Sequence, residues 1–444
     1  MELFTHTVAE VGAFLWGFPM VILLLGTHLF LTFRLRFPQR HIFKAIKLSL
    51  QRDSGSGDIS PFGSLVTALA STIGTGNIIG VSTAIALGGP GAVFWCWVTG
   101  LFGIATRYAE SLLAVKYRVK TEDGSMIGGA MYMLERGLNM KWLGVLFAIF
   151  TVIASFGIGN TVQTNSISTL LYSTIGIETY ITGAVLAILI GLVILFGIKG
   201  IANTCSILVP FMAIFYIVGC IIILIVNRAA LGETIQLILS SAFDFNSVAG
   251  GFAGSGIMLA MRYGVSRGLF SNEAGLGSAP IIAAAAKTSN PVRQALISST
   301  SVFWDTVIVC ALTGLVIVSS VIIHPDINYT DGALMTKQAF SKLPFGSIFL
   351  SVALISFTFS TILGWTYYSE KCIEYLGSKK SIIYFRIVWV ITIYIGSTMN
   401  LELIWGIADI TNALMSIPNI IAILLLSAVA AKTSKEYLDN NKLL

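Results

Sequence analysis

Residues 71–80 read STIGTGNIIG, and residues 251–286 read GFAGSGIMLAMRYGVSRGLFSNEAGLGSAPIIAAAA. Both place glycine, hydroxyl and amide side chains, and in the second a carboxylate, inside runs otherwise apolar enough to cross a bilayer. Backbone at that depth must be hydrogen-bonded or line a polar cavity. A helix broken halfway frees amides at one half's N-terminus and carbonyls at the other half's C-terminus. The amide end favours an anionic group, and the carbonyl end a cation or ammonium. Glycine permits the close approach and unusual dihedrals this requires. Two breaks are therefore expected, at Gly74–Asn77 and around Gly268–Gly275, and a small zwitterion with Na⁺ suits such a pair. Gly80, Gly250, Gly254 and Gly256 are read instead as small residues that let helices pack closely. The string GTGNIIG resembles a dinucleotide fingerprint but has Ile79 where glycine is needed and no preceding strand, so that chemistry is rejected.

The elements that must hold these breaks follow from composition. The 444-residue chain has a mean hydropathy of +0.85 and only 11% charged residues, against about a quarter in soluble domains. The expected fold class is an all-α polytopic membrane protein. A crossing needs roughly 20 apolar residues, and eleven candidates are found near 12–33, 62–87, 89–115, 142–172, 179–198, 201–227, 251–286, 294–323, 345–369, 381–398 and 402–431. The first is read as a retained span rather than a signal peptide, since no basic stretch precedes it. Amphipathic pieces at 126–137, 232–242 and 332–341 are expected at the interface. A broken span leads each of two five-span units, 61–228 and 229–432. An odd number of crossings inverts the second unit relative to the first. Residues 1–60 form an extra span with a basic loop, and 433–444 a tail.

Loop charge sets the orientation. One side carries Arg34, Arg36, Arg40, Lys44, Lys47, Arg52, Lys116, Arg118, Lys120 and, later, Lys432, Lys435 and Lys442, whereas Arg228, Lys337 and Lys342 lie opposite. The positive-inside rule then predicts an outer N-terminus and a cytoplasmic C-terminus in the plasma or inner membrane. The net charge of +6 sits in these loops and gives no nucleic-acid footprint. Five scattered cysteines and four dispersed histidines form no metal or disulfide pattern, and no enzymatic constellation. Intramembrane charges are rare and usually paired. Glu273 falls in the second break and is expected to hold it or gate it; Asp305 and Asp409 are expected to pair with Arg262 or Arg267. Arg107 and Glu110 are expected to form an interfacial salt bridge.

Three segments carry a resemblance: STIGTGNIIGVSTAIALGGPGAVFW (71–95), GGAMYMLERGL (128–138) and RYGVSRGLFSNEAGLGSAPIIAAAA (262–286). They closely resemble the alanine/glycine:cation symporter family, over about residues 10–430. The resemblance implies the leucine-transporter fold, a five-plus-five inverted repeat with one extra N-terminal helix, and Na⁺-coupled uptake of small neutral amino acids. No cofactor is implied beyond Na⁺ as the coupling ion. It places Thr75, Gly76 and Asn77 of the first break, and Phe270, Ser271 and Asn272 of the second, against substrate. Gln163 is a substrate contact or a helix–helix hydrogen bond, and Trp365 a pocket cap or a packing residue. By fold analogy a sodium site joins the carbonyls of Ala70, Ile73 and Phe357 to the hydroxyls of Ser360 and Thr361, a shell of the oxygen ligands that hard cations take. Those hydroxyls bonding back to their own helix is the alternative. A second ion site is placed at Thr72 and Asn77. Other readings left open are another small solute on the same fold, coupling to H⁺, and a channel.

Overall fold

The computed structural model describes residues 2–51, 53, 55–243, 256–330, 332–399 and 401–438. Arg52, Gly250, Gly254 and Lys442 lie outside the described residues. The chain is helical nearly throughout. In order come α1 (Glu2–Leu15), α2 (Phe18–Arg34), α3 (Ile42–Ser49), α4 (Pro61–Thr72), α5 (Gly76–Gly88) and α6 (Gly91–Lys116). A small antiparallel hairpin, β1 (Val119–Lys120) with β2 (Met126–Ile127), leads to helical turns at 130–137. Then follow α7 (Lys141–Ile175), α8 (Thr179–Ile194), α9 (Gly197–Val226), α10 (Leu231–Phe243), α11 (Ile257–Asn272), α12 (Pro280–Ala284) and α13 (Pro291–Ile323). The last are α14 (Gly332–Ser341), α15 (Gly346–Leu376), α16 (Ser381–Gly396), α17 (Leu401–Leu425) and α18 (Ser427–Leu438). Among the described residues, five helical runs are long and apolar enough to cross a bilayer, or up to seven if each bent pair counts as one.

The outer faces read as a lipid-facing surface. Ile188, Phe196, Ile207, Ile214 and Ile225 on α8, α9 and the turn between them are all more than half exposed. Serines, threonines and asparagines are buried instead, including Thr75, Asn77, Ser271 and Asn272 at 0%. This inverts the usual soluble pattern and turns the polar residues inward, toward α4, α5, α11, α13 and α15.

The first break lies where expected. α4 stops at Thr72, Ile73 turns extended (φ −74°, ψ 93°), and α5 leaves at 53° to α4. The second break starts later than expected. α11 stays helical through Gly268 and on to Asn272, and the chain turns at Glu273, whose φ is +54°. Gly275 (φ +91°) and Gly277 (φ +84°) carry the turn into α12. Gly264 and Gly268 serve another purpose. A Cβ on Gly264 would stand 2.4 Å from the Ala92 carbonyl oxygen, and one on Gly268 3.2 Å from that of Cys96. They let α11 lie directly on α6. Gly80, expected to pack closely, would meet nothing within 4 Å, and Gly256 sits at the N-cap of α11.

Replacing Gly264 by alanine forces backbone apart and should destabilise the protein by about 1–3 kcal/mol, the range for overpacking. Gly80→Ala should be neutral or slightly stabilising, since alanine is favoured over glycine in a helix. Melting in detergent followed by loss of the monodisperse elution peak tests the contrast; equal midpoints for both variants would refute the close-packing role of Gly264.

Candidate functional site

Building the site from the first break upward begins with its amides. In an unbroken helix the amides of Gly74 and Thr75 would donate to the carbonyls of Ala70 and Ser71, four residues back. Here Gly74 N donates to Asn77 Oδ1 (2.8 Å) and Thr75 N to Gln163 Oε1 (3.1 Å). The carbonyls of Ala70 and Ser71 are thereby left without those amide partners. The Gln163 amide then donates to Ile158 O (2.9 Å), so this side chain clamps the break onto α7. The Thr361 hydroxyl of α15 sits between Ile73 O (3.2 Å) and Phe357 O (2.9 Å), and Ser360 Oγ donates to Phe357 O (2.8 Å). One hydroxyl hydrogen cannot serve two carbonyls at once. Both hydroxyls thus bond back to Phe357 O of their own helix, as the alternative reading had it, and Thr361 also reaches Ile73 O across the break, so these neutral oxygens lie close together, with Ala70 one turn back in the chain. Such a donor set fits a hard monovalent cation. A Cβ on Gly74 would fall 2.6 Å from Thr361 Oγ1, so glycine is required for this approach.

A buried carboxylate joins the two breaks. Asp305 on α13 is fully buried. It accepts from Asn77 Nδ2 at 2.7 Å, from Ser271 Oγ at 2.9 Å and from Thr306 Oγ1 at 2.6 Å. Asp305 thus pairs with amide and hydroxyl groups instead of Arg262 or Arg267, contrary to the sequence reading. The residues expected at the second ion site bond to different partners. Asn77 joins Asp305, whereas the Thr72 hydroxyl bonds back to Ala68 O (3.1 Å) on its own helix. Three wide π-type turns bring these groups in: Gly76–Gly80, Ser155–Thr161 and Phe303–Cys310. Such turns often mark functional sites, but they have no composition signature, and the sequence reading missed them.

The second break is held from beneath by α6 and α17. Arg107 Nη2 donates to Asn272 O at 2.5 Å. Glu110 Oε1 accepts from Gly275 N (3.0 Å) and Asn419 Nδ2 (2.6 Å), and Asn419 also donates to Gly275 O (2.9 Å). Arg107 and Glu110 are 4.0 Å apart and about 1% and 0% exposed. They form a buried scaffold for the break and not the expected interfacial pair. Glu273 Oε2 accepts from Ser278 Oγ (2.6 Å). Thr75 Oγ1 and Asn272 Nδ2, at the two breaks, are buried without a hydrogen-bond partner among the described residues, whereas the Trp365 indole faces the Glu273 carboxylate.

Aromatic rings limit the space. Phe270 stands 3.1 Å from where a Cβ on Gly76 would be, and the Trp365 side chain 2.4 Å from one on Gly159. Trp365 is 0% exposed, so its ring is packed inside the protein and does not face lipid. On the α11 side of the second break, Arg267 makes a two-pronged ion pair with Asp409 (3.2 and 3.3 Å), beside the Phe270 ring. Arg262 lies over the Tyr263 ring. On the α12 side, Arg118 donates to four carbonyls: Ala284 and Ala286 at 3.0 and 2.8 Å, and Ser56 and Thr288 at 2.9 and 2.8 Å. Backbone bonds from Asp58 and Ile59 to Ala285, and from Lys287 to Ile59, complete this seam. The sequence reading saw Arg118 only as a loop charge.

Interrupted helices meeting over buried oxygens, inside a lipid-facing helical shell, define a membrane transporter. The fold agrees: the chain superposes on a crystal structure of MhsT in complex with L-phenylalanine with a TM-score of 0.60, at 16% identity, covering 84% of this chain and 89% of that one. The family is more specific. The model of the sodium:alanine symporter family matches residues 1–443, and the chain belongs to that family, whose members are transporters and not enzymes. It is 49% identical to the sodium/alanine symporter AgcS of Methanococcus maripaludis, across 99% of this chain and 98% of that protein. It is 37% identical to the probable sodium/glutamine symporter GlnT of Bacillus subtilis, across 99% and 92%.

Removing the Arg107 charge leaves Asn272 O and Glu110 buried without it, and breaking a buried pair costs about 3–5 kcal/mol. Arg107→Met should therefore abolish recovery of folded protein, and adding Glu110→Gln should restore part of it. Size-exclusion yield of the single and double variants checks this; an R107M protein as stable as wild type would show that Arg107 does not support the break.

Proposed function

We propose that the protein is a secondary active transporter coupling Na⁺ entry to uptake of small neutral amino acids, alanine and glycine, by alternating access. The observation that carries the reading is the pairing of the two breaks through Asp305, next to the neutral oxygen cluster of Ile73, Phe357, Ser360 and Thr361. In this reading the chain makes eleven crossings: one extra N-terminal span, then two inverted five-helix units over 61–228 and 229–432. The N-terminus lies outside and the C-terminus in the cytoplasm.

The neutral cluster, with the Ala70 carbonyl, takes the coupling Na⁺. A second cation site lies at Asp305 with Asn77 and Ser271. The substrate ammonium is drawn to Glu273 and its carboxylate to the donors Thr75 Oγ1 and Asn272 Nδ2, each of which lacks a partner among the described residues. Gly76, Phe270, Gln163 and Trp365 bound the space and restrict the side chain to small ones. The Arg267–Asp409 pair closes the outer side over Phe270, and the Arg118 seam closes the cytoplasmic side. One Na⁺ moving down 100 mV supplies roughly 2.3 kcal/mol, more than the ~1.4 kcal/mol of a tenfold gradient. Coupling to H⁺ remains a second reading, because Asp305 is a buried acid surrounded by neutral donors.

Proteoliposomes loaded without Na⁺ should accumulate radiolabelled alanine when external Na⁺ is added, and should not when only a pH gradient is imposed. Accumulation driven by the pH gradient alone would favour H⁺. Thr361→Ala should raise the half-saturating Na⁺ concentration about tenfold, as expected for losing roughly 1.4 kcal/mol of ion binding. An unchanged Na⁺ dependence would remove Thr361 from the ion site.

A further inference from the structure

A cavity of about 410 Å³ lies where the end of α2, the turn into α3 and the helix α18 meet. Its lining holds Arg34, Arg36, Arg40, Lys432 and Lys435 and, among the described residues, no acidic one. None of these five cations is in a salt bridge among the described residues. Glu436, their acidic neighbour on α18, is exposed and not part of the lining. All five cations are exposed, so their mutual repulsion is largely screened by water and salt, and an anion seated among them would gain from all five at once.

The backbone at the turn is specific. Arg36 and Phe37 are consecutive non-glycine residues in the left-handed region, with φ of +57° and +58°. Such strain persists where the surroundings fix it and tends to collect at binding sites. The turn brings α3 back at 64° to α2, with Lys44 and Lys47 on it. Burial, with Arg40 and Lys44 alongside, holds His41 below its ordinary value, consistent with a positive local field.

Apolar side chains lie next to this charge. Phe33, Phe37 and Phe43 are 65%, 46% and 73% exposed, and Phe33 and Phe37 meet edge to face at 5.2 Å. A free phosphate would use the cations and leave the rings idle. A phospholipid uses both, its phosphate among the arginines and lysines and its acyl chains along the phenylalanines. Basic pockets at the membrane surface commonly hold anionic headgroups this way.

The geometry points to a binding site for the phosphate headgroup of an anionic phospholipid at Arg34, Arg36, Arg40, Lys432 and Lys435. The site ties α18 to the α2–α3 turn. It requires only that the chain sits in a bilayer, and is independent of the transport reading.

The test is native mass spectrometry of the full-length protein in detergent, titrated with phosphatidylglycerol, with phosphatidylcholine and with inorganic phosphate. Phosphatidylglycerol should bind about tenfold more tightly than phosphatidylcholine, as several favourable Lys/Arg contacts require, and millimolar phosphate should not displace it. The triple variant R36Q/K432Q/K435Q should lose that preference, whereas K116Q/K380Q, neutralised elsewhere, should keep it. If the triple variant elutes as aggregate, K432Q/K435Q is read in its place, with a smaller loss of the same sign. Retention of wild-type preference by the pocket variant, or equal binding of both lipids, would overturn the site. Displacement by inorganic phosphate would assign the pocket to a free anion and overturn the lipid.

Discussion

Everything at the centre of this molecule depends on one constraint: a backbone group taken out of a helix inside a membrane must find another partner. The first break meets it with side-chain amides. Asn77 and Gln163 accept the two amides that the interrupted helix releases. The second meets it with charge, using Arg107 for a carbonyl and Glu110 for an amide. This asymmetry has a physical basis. The first break opens within one span and can borrow its own Asn77. The second turns through Glu273, Gly275 and Gly277, and frees more backbone than one amide could serve. Asn419 of α17, bonded both to Glu110 and to Gly275 O, supplies the remainder.

Those supports are themselves costly. Burying an ion in low dielectric is unfavourable unless it is paired and hydrogen-bonded. Arg107 and Glu110 offset part of each other's cost at 4.0 Å, and both also bind the chain they support. Asp305 has only neutral donors within hydrogen-bonding distance. A carboxylate in that state is stabilised by any cation that enters beside it, which makes it responsive to ion binding in a way the Arg107–Glu110 pair is not.

How much could be read from the sequence follows the same logic. The first break was legible because Gly74, Thr75, Gly76 and Asn77 combine permissive backbone with a polar side chain. The second was displaced by several residues because Gly268 looks like a helix breaker in a linear reading. In three dimensions it is a contact point against Cys96, as Gly264 is against Ala92. Nothing local marks Glu273 as the left-handed residue; the seat is made by Ser278 and the end of α11. Asp305 was assigned an arginine because an intramembrane acid suggests an opposite charge. Apart from its neighbour Thr306, its partners, the Asn77 amide and the Ser271 hydroxyl, come from two other helices that no sequence spacing connects to it. Arg107 and Glu110 were visible as an i, i+3 pair, but their depth was not, since α6 continues to Lys116.

The position of Asp305 also gives a reason for coupling in the proposed cycle. Asn77 belongs to the first broken helix and Ser271 to the second, and both donate to the same carboxylate. A cation drawn to Asp305 competes for its lone pairs and alters both donors together. Asn77 also fixes Gly74 N, and Gly74 adjoins Thr361 and the neutral oxygen cluster. Ser271 precedes Asn272, whose carbonyl is held by Arg107. In the proposed cycle, ion occupancy acts on the backbone of both breaks through these shared hydrogen bonds. A ligand shifts a conformational equilibrium only by its differential affinity for the two states. In this chain that difference can arise at Asp305, because separating α5 from α11 would remove a donor from a buried negative charge. A bound cation lowers the cost of that separation, and its loss restores the cost. Either direction links movement of the two half-helices to whether the ion is present.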